Sequence, residues 1–214
     1  MIGDGLNLAG KVTDIKPCIS REEVFRLMGC HETCEAYETI KELYEEILPK
    51  AIQKLEPAIL YRFGRIPRDI TFLQPGTPVV YTICTVGEKI EEWSSRAFKE
   101  GNPVEGMLLS AIADSALFHM DDDLERILNQ ACAGTSMGIK CRMEAPQDIP
   151  MEAQKLIFHE TGAKEQCAMA LSEGYMFYPV KSSGILFLLT EDKSKFAVRH
   201  ECRNCRSKTC RLRQ

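Results

Sequence analysis

The chain predicts an α+β domain built on an antiparallel sheet, and three observations carry that prediction. Apolar residues recur at intervals of three and four through Ala36, Ile40, Leu43, Ile47, Leu48, Ala51 and Leu55, the period of a helix with one buried face. The run from Val79 to Thr85 is short and β-branched, lies between Pro75-Gly76 and Gly87, and so reads as a strand. Helix and strand signals then arrive in blocks, the arrangement of an α+β domain. With 214 residues, 44% of them hydrophobic, the chain can bury a sizeable core. We expect residues 1–192 to form this domain and residues 193–214 to follow as a basic, cysteine-rich tail.

In chain order, Ser20 followed by Glu23 is a capping-box signal for a short helix through Val24, Leu27 and Met28. The segment Cys30 to Cys34, with His31 inside it, joins this helix to the amphipathic block, which Pro57 ends. The Cys-x3-Cys pair is a possible source of a metal ligand, but the simpler reading is a loop cysteine pair without a metal. After the Val79–Thr85 strand, Gly87 turns the chain into a helix carrying Ile90 and Trp93. Pro103 opens a long helix on which Val104, Met107, Leu108, Ala111, Ile112, Ser115 and Ala116 face one way. The run Asp121-Asp122-Asp123 reads as a solvated charge run, because successive helix positions point about 100° apart and cannot converge on one cation. A strand is expected from Ser136 to Arg142 and a helix from Pro150 to Phe158. Two strands, Tyr175–Val180 and Ile185–Thr190, are expected to pair as a hairpin around Lys181-Ser182-Ser183-Gly184.

Charge and motifs exclude several function classes. A net charge of −4 and a pI near 5.7 argue against a protein devoted to nucleic acid. No stretch approaches eighteen apolar residues and the first residues lack an export signal, so neither a membrane partner nor export is expected, and the cytoplasm is the expected location. Most of the ten cysteines are then expected to be free; Cys18, Cys84, Cys132, Cys141 and Cys167, which stand singly, read as small buried hydrophobes. Nucleotide-binding glycine fingerprints and hydrolase motifs are absent, and the four histidines are scattered.

Two groups of residues remain as candidates for chemistry. Cys202, Cys205 and Cys210 have the spacing of metal ligands, and Arg203, Arg206, Lys208, Arg211 and Arg213 around them would favour thiolates. Zinc and iron–sulfur sites usually take four ligands, and this run supplies three. Arg142 ends a β-like run, and its fixed charge suits bidentate capture of a carboxylate. A surface ion pair with Glu144 or Asp148 is the plainer reading. Tyr175, Tyr178 and Lys181 are candidates to line a pocket or, equally, to pack across a hairpin.

The order of four segments resembles a known family. Tyr81 to Glu91, Gly106 to Ala116, Arg142 with Asp148 to Gln154, and Met176 to Gly184 together look like the activation domain of cobalamin-dependent methionine synthase, and more closely like its stand-alone bacterial relatives. The similarity spans most of the chain from about Val24. It implies a twisted antiparallel sheet with flanking helices. It also implies binding of S-adenosylmethionine at Arg142, Glu144, Tyr175, Tyr178 and Lys181, and docking on a cobalamin-binding methyltransferase or corrinoid protein. There, one-electron reduction coupled to methyl transfer would restore methylcobalamin. The arginine of the family's Arg-x-x-x-Gly-Tyr motif is present at Arg142, whereas its Gly-Tyr is not, and an expected helix glutamate falls at Phe118. Two further readings stand beside this one. The tail cysteines hold an iron–sulfur cluster that delivers an electron to cobalt, or they take zinc in a non-enzymatic binding module.

Overall fold

The β-branched run that predicted a strand is the centre of the sheet. In the computed structural model, which describes residues 8–203 together with 205, 210 and 211, β3 (Pro78–Thr85) lies between β2 (Ala58–Arg65) and β7 (Ser182–Thr190). Outside these, β1 (Ala9–Val12) pairs with β2, and β4 (Gly138–Glu144) pairs with β7. Each of these strand pairings is antiparallel, and the spatial order is β1-β2-β3-β7-β4. The fold is α+β: a twisted antiparallel sheet with flanking helices.

Both faces of the sheet are covered, which explains the unbroken apolar character of β3. Ile59, Phe63, Val80, Cys84, Ile185 and Phe187 belong to a core shared with α1 (Arg21–Met28), α2 (Tyr37–Ile52), α3 (Lys89–Lys99), α4 (Pro103–Phe118) and α5 (Met120–Ala133). Leu60, Val79, Tyr81, Ile83 and Leu186 alternate with them and form a second core with α6 (Ala153–Thr161) and α7 (Ala163–Cys167). Phe177 completes that core from a small sheet of β5 (Ala170–Leu171) and β6 (Phe177–Tyr178).

α4 is apolar on nearly every side, with Leu108, Leu109 and Ile112 wholly buried, as suits the middle of a helical layer. α1 docks on it through the predicted cap. Ser20 Oγ accepts from the Glu23 amide at 3.4 Å, while the return leg runs through α4: the Ser20 amide donates to Ser115 Oγ, and Ser115 donates to Glu23 Oε2, both at 3.0 Å. His119 Nε2 lies 2.8 Å from the same Glu23 oxygen, close enough for an ion pair although its N–H is not aimed along a hydrogen bond. Glu23 is only 3% exposed, so these partners are what make its burial tolerable.

Several boundaries differ from the sequence expectation. α2 stops at Ile52, short of Leu55, with Pro49 in its last turn. α6 starts at Ala153, because Pro150 O instead accepts from the Ala153 amide to close a turn. β4 starts at Gly138 and not Ser136. The expected hairpin does not form. Tyr175 has a left-handed φ of 64°, Phe177–Tyr178 pair with Ala170–Leu171, and β7 inserts between β3 and β4. A buried strand needs partners for the backbone groups on both edges, and two neighbours satisfy β7 where one would not. β1, β2, β5, α5 and α7 have no counterpart among the expected elements.

The C-terminal segment enters the fold before it reaches the cysteines. Ile139 donates to Lys195 O at 2.8 Å, the Ala197 amide donates to Ile139 O at 3.0 Å, and Val198 is wholly buried. Glycine at 138 permits this approach, since a Cβ there would lie 2.3 Å from Asp192 O and 2.6 Å from Lys195 O. Among the described residues, no helix is long and apolar enough to cross a membrane.

Candidate functional site

A bulge in β4 aims Arg142. Ile139 pairs with Leu189, Cys141 with Leu188 and Arg142 with Phe187, so Lys140 is an extra residue in the ladder. In a regular strand Ile139 and Arg142 would point to opposite faces. The bulge puts both on the face of Phe187 and Leu189, the side covered by α5.

There the guanidinium meets three acceptors. Nε donates to Glu144 Oε1 at 2.5 Å, and Nη1 donates to Asp121 Oδ1 at 2.7 Å and to Val198 O at 3.0 Å. The Arg142 side chain is 13% exposed. Burial works against its charge, yet Glu144 and Asp121 more than offset this and raise its pKa. Its Nη2 edge has no partner among the described residues. The plain surface pair expected with Glu144 is therefore made, but it is sheltered and enlarged. Asp148 Oδ2 accepts from the Glu144 amide at 3.1 Å and so braces Glu144 rather than Arg142.

The acidic run is corrected by the same contacts. Asp121, Asp122 and Asp123 occupy the first turn of α5, where the helix dipole favours negative charge. They diverge as expected but are not simply solvated. Asp121 receives Arg142 and the His200 amide, Asp122 pairs with Arg199 at 2.8 Å, and Asp123 pairs with Arg126 at 2.7 Å. Arg199 also donates to Glu125 at 2.6 Å. The acidic turn is a receiving surface for β4 and the C-terminal segment.

A cavity of about 660 Å³ opens beside this network. α4 and α5 contribute Asp114, Leu117, Phe118 and Asp121; β4 contributes Cys141, Arg142 and Glu144; Ser183, His200, Cys202, Cys205 and Cys210 complete much of the wall. Its size is that of a small-molecule site, and it combines apolar wall with converging charge. His200 Nδ1 stands 3.7 Å from Glu144 Oε2. Lys181 Nζ holds Asp114 Oδ1 at 2.7 Å.

Of the residues singled out in the sequence, Arg142, Glu144, Cys202, Cys205 and Cys210 come together on this cavity. Lys181 reaches it only through Asp114, while Tyr175 and Tyr178 are not among its lining residues. Tyr178 lies 51% exposed on the small sheet. Sequence reasoning missed Asp114 and the Val198 carbonyl; it considered His200 only as a possible further ligand for the tail cysteines and Asp121 only as part of a charge run. The i, i+3, i+4, i+7 spacing of Asp114, Leu117, Phe118 and Asp121 was the available signal, although a new helix begins at Met120 and Asp121 sits on it. Among the described residues, no group of three His, Cys, Asp or Glu converges as a metal ion requires. Of the five cysteines expected to be buried, Cys84 and Cys132 are, and burial pushes their thiols up to about 12 and about 11, whereas Cys18 is exposed and Cys141 and Cys167 are only partly buried.

No protein-family model matches the chain, and no curated protein is detectably similar to it. A solved structure is similar: the MetH reactivation domain bound to AdoHcy superposes with a TM-score of 0.62, covering 90% of this chain and 81% of that one. Sequence identity across the match is 12%. The likeness shows the fold. It agrees with the architecture that the four sequence segments implied.

Proposed function

We propose that the cavity beside Arg142 binds an S-adenosyl ligand, and that the chain assists reductive methylation of cob(II)alamin held by a separate corrinoid protein or methyltransferase. The observation that carries this reading is a ligand-sized cavity with a sheltered guanidinium and several carboxylates, in a fold shared with a domain described as bound to AdoHcy. The residues fit such a ligand. The Nη2 edge of Arg142 suits a ligand carboxylate, and Asp114, Asp121 and Glu144 suit an ammonium or sulfonium cation.

Bound S-adenosylmethionine would supply the methyl group, with the electron coming from a separate donor. The part assigned to the chain itself is placement and electrostatics. Cys141 lines the wall, and burial raises its thiol, which disfavours a thiolate at neutral pH. Cys202, Cys205 and Cys210 stand on the same wall and would be the residues to hold a zinc ion or iron–sulfur cluster. The described residues do not supply a converged ligand set for either, so no step is routed through them.

The test is anaerobic. A corrinoid protein in the cob(II)alamin state is mixed with a low-potential reductant and S-adenosylmethionine, with and without the chain. Faster loss of the cob(II)alamin absorption with methylcobalamin formation is expected, and Asp121→Asn should slow it. Equal rates with and without the chain would remove the proposed role. Iron and zinc analysis of anaerobically purified protein decides between the two metal readings of the tail.

A further inference from the structure

Away from the cavity, two thiols and an imidazole share one tight turn between α1 and α2. Cys34 Sγ lies 2.9 Å from His31 Nδ1, and the Cys34 amide donates to His31 O at 2.8 Å. The left-handed cap at Gly29, with φ of 68°, lets the Cys30 amide donate back to Phe25 O at 2.9 Å and pins that cysteine beneath the turn. Cys30 is 7% exposed although it lies just under the surface, whereas Cys34 is partly exposed and His31 is exposed. Burial foremost, and then contact with the Cys34 side chain, raise the Cys30 thiol. One thiol, Cys34, is therefore partly exposed beside a base, and the other, Cys30, is nearly buried but faces a neighbouring cavity that Cys34 itself does not line. Both are free.

The turn borders a second cavity, of about 670 Å³, with Arg21, Arg26, Glu22 and Glu32 among its lining residues beside Cys30 and His31. Arg211 adds another guanidinium at this edge, with Nη1 2.6 Å from Leu27 O. Paired cations and anions of this kind suit a ligand that carries both carboxylates and ammonium groups.

We propose that Cys34 and Cys30 form a thiol–disulfide exchange site for a small zwitterionic disulfide, with His31 as the base. His31 takes the Cys34 proton, and the thiolate attacks one sulfur of the incoming disulfide. The disulfide's S–S bond breaks, a mixed disulfide forms on Cys34, and the leaving thiolate takes the proton from His31. Cys30 then gives its proton to water and attacks the Cys34 sulfur; the S–S bond of the mixed disulfide breaks, an intramolecular disulfide closes, and the second small thiolate leaves and takes up a proton from water. The protein dithiol is oxidised by two electrons, and the small disulfide is reduced to two thiols.

Glutathione disulfide is the probe, used on the full-length protein reduced under anaerobic conditions. Trypsin leaves Cys30 and Cys34 together on the peptide of residues 27–41, apart from the tail cysteines. Mass spectrometry should show that peptide losing two hydrogens, ahead of any change at the tail. Cys30→Ser should stop the reaction at a glutathione adduct on Cys34. His31→Gln, a change at an exposed position, should slow adduct formation about a hundredfold, the low end for a positioned base. Cystamine, which carries amines and no carboxylates, should react more slowly than glutathione disulfide. The proposal is overturned if only the tail cysteines react, if His31→Gln reacts at the wild-type rate, or if zinc or iron in the purified protein blocks Cys30 and Cys34 until a chelator removes it.

Discussion

Replacing Arg142 with leucine removes the centre of the network that joins β4, α5 and the C-terminal segment. Asp121 and Glu144 then face each other without their shared cation, and the Val198 carbonyl loses its donor. Breaking a buried ion pair from one side costs about 3–5 kcal/mol. The side chains of Asp121 and Glu144 keep 21% and 25% exposure, which lets water take up part of the loss and places the expected cost at the low end. A destabilisation of about 3 kcal/mol lowers the melting temperature of a chain this size by roughly 6–12 °C. Thermal unfolding followed by circular dichroism, with urea denaturation for the free energy, measures it. Because the penalty arises from stranded carboxylates, the triple variant Arg142→Leu, Asp121→Asn, Glu144→Gln should regain more than half of the lost stability. A single-variant loss below about 0.5 kcal/mol, the size of an ordinary surface substitution, would refute the reasoning, as would a triple variant no more stable than the single one.

Ser115→Ala removes both the acceptor for the Ser20 amide and the donor to Glu23, so a loss of about 1–3 kcal/mol is expected in urea denaturation. Gly138→Ala drives a Cβ into the Asp192 and Lys195 carbonyls, and the same assay should show a loss of about 1–3 kcal/mol together with faster proteolysis of the C-terminal segment. Burial raises Cys84 to about 12 and Cys132 to about 11 from the ordinary thiol value of 9.0. The folded state holds these protons more tightly than the unfolded state. Their contribution is therefore complete below pH 9.0 and is lost as the pH climbs through 11 and 12, by about 1.4 kcal/mol per pH unit for each thiol. Equilibrium unfolding across that range measures the slope, which should shrink in Cys84→Ala.

Periodicity made the helices and the central strand legible. β3 is buried on both faces and reads as an unbroken apolar run, and α4 announces itself through Pro103 and its stripe of small residues. β2 was harder to see, because its apolar start Ala58-Ile59-Leu60 lies only a few residues beyond the helical block and its second half carries Arg62 and Arg65, and β1 is a short edge strand. The hairpin was misread because local pattern cannot show that β7 has partners on both edges. Arg142 was legible as a residue type, but its surroundings were not. Its direction depends on an extra residue at Lys140 in a non-local pairing, and one of its two carboxylate partners, Asp121, lies on another element. The acidic run illustrates the same limit, since its cations arrive from β4 and from Arg199 near the C-terminus.

Isothermal titration of the purified chain with S-adenosylhomocysteine tests the central claim most directly. The cavity predicts one-to-one binding of the wild type. Arg142→Lys and Asp114→Asn should each weaken it at least about tenfold, since a hydrogen bond to a charged partner contributes about 1.5–3 kcal/mol. Titration heats no larger than dilution, or an affinity unchanged by both substitutions, would contradict it.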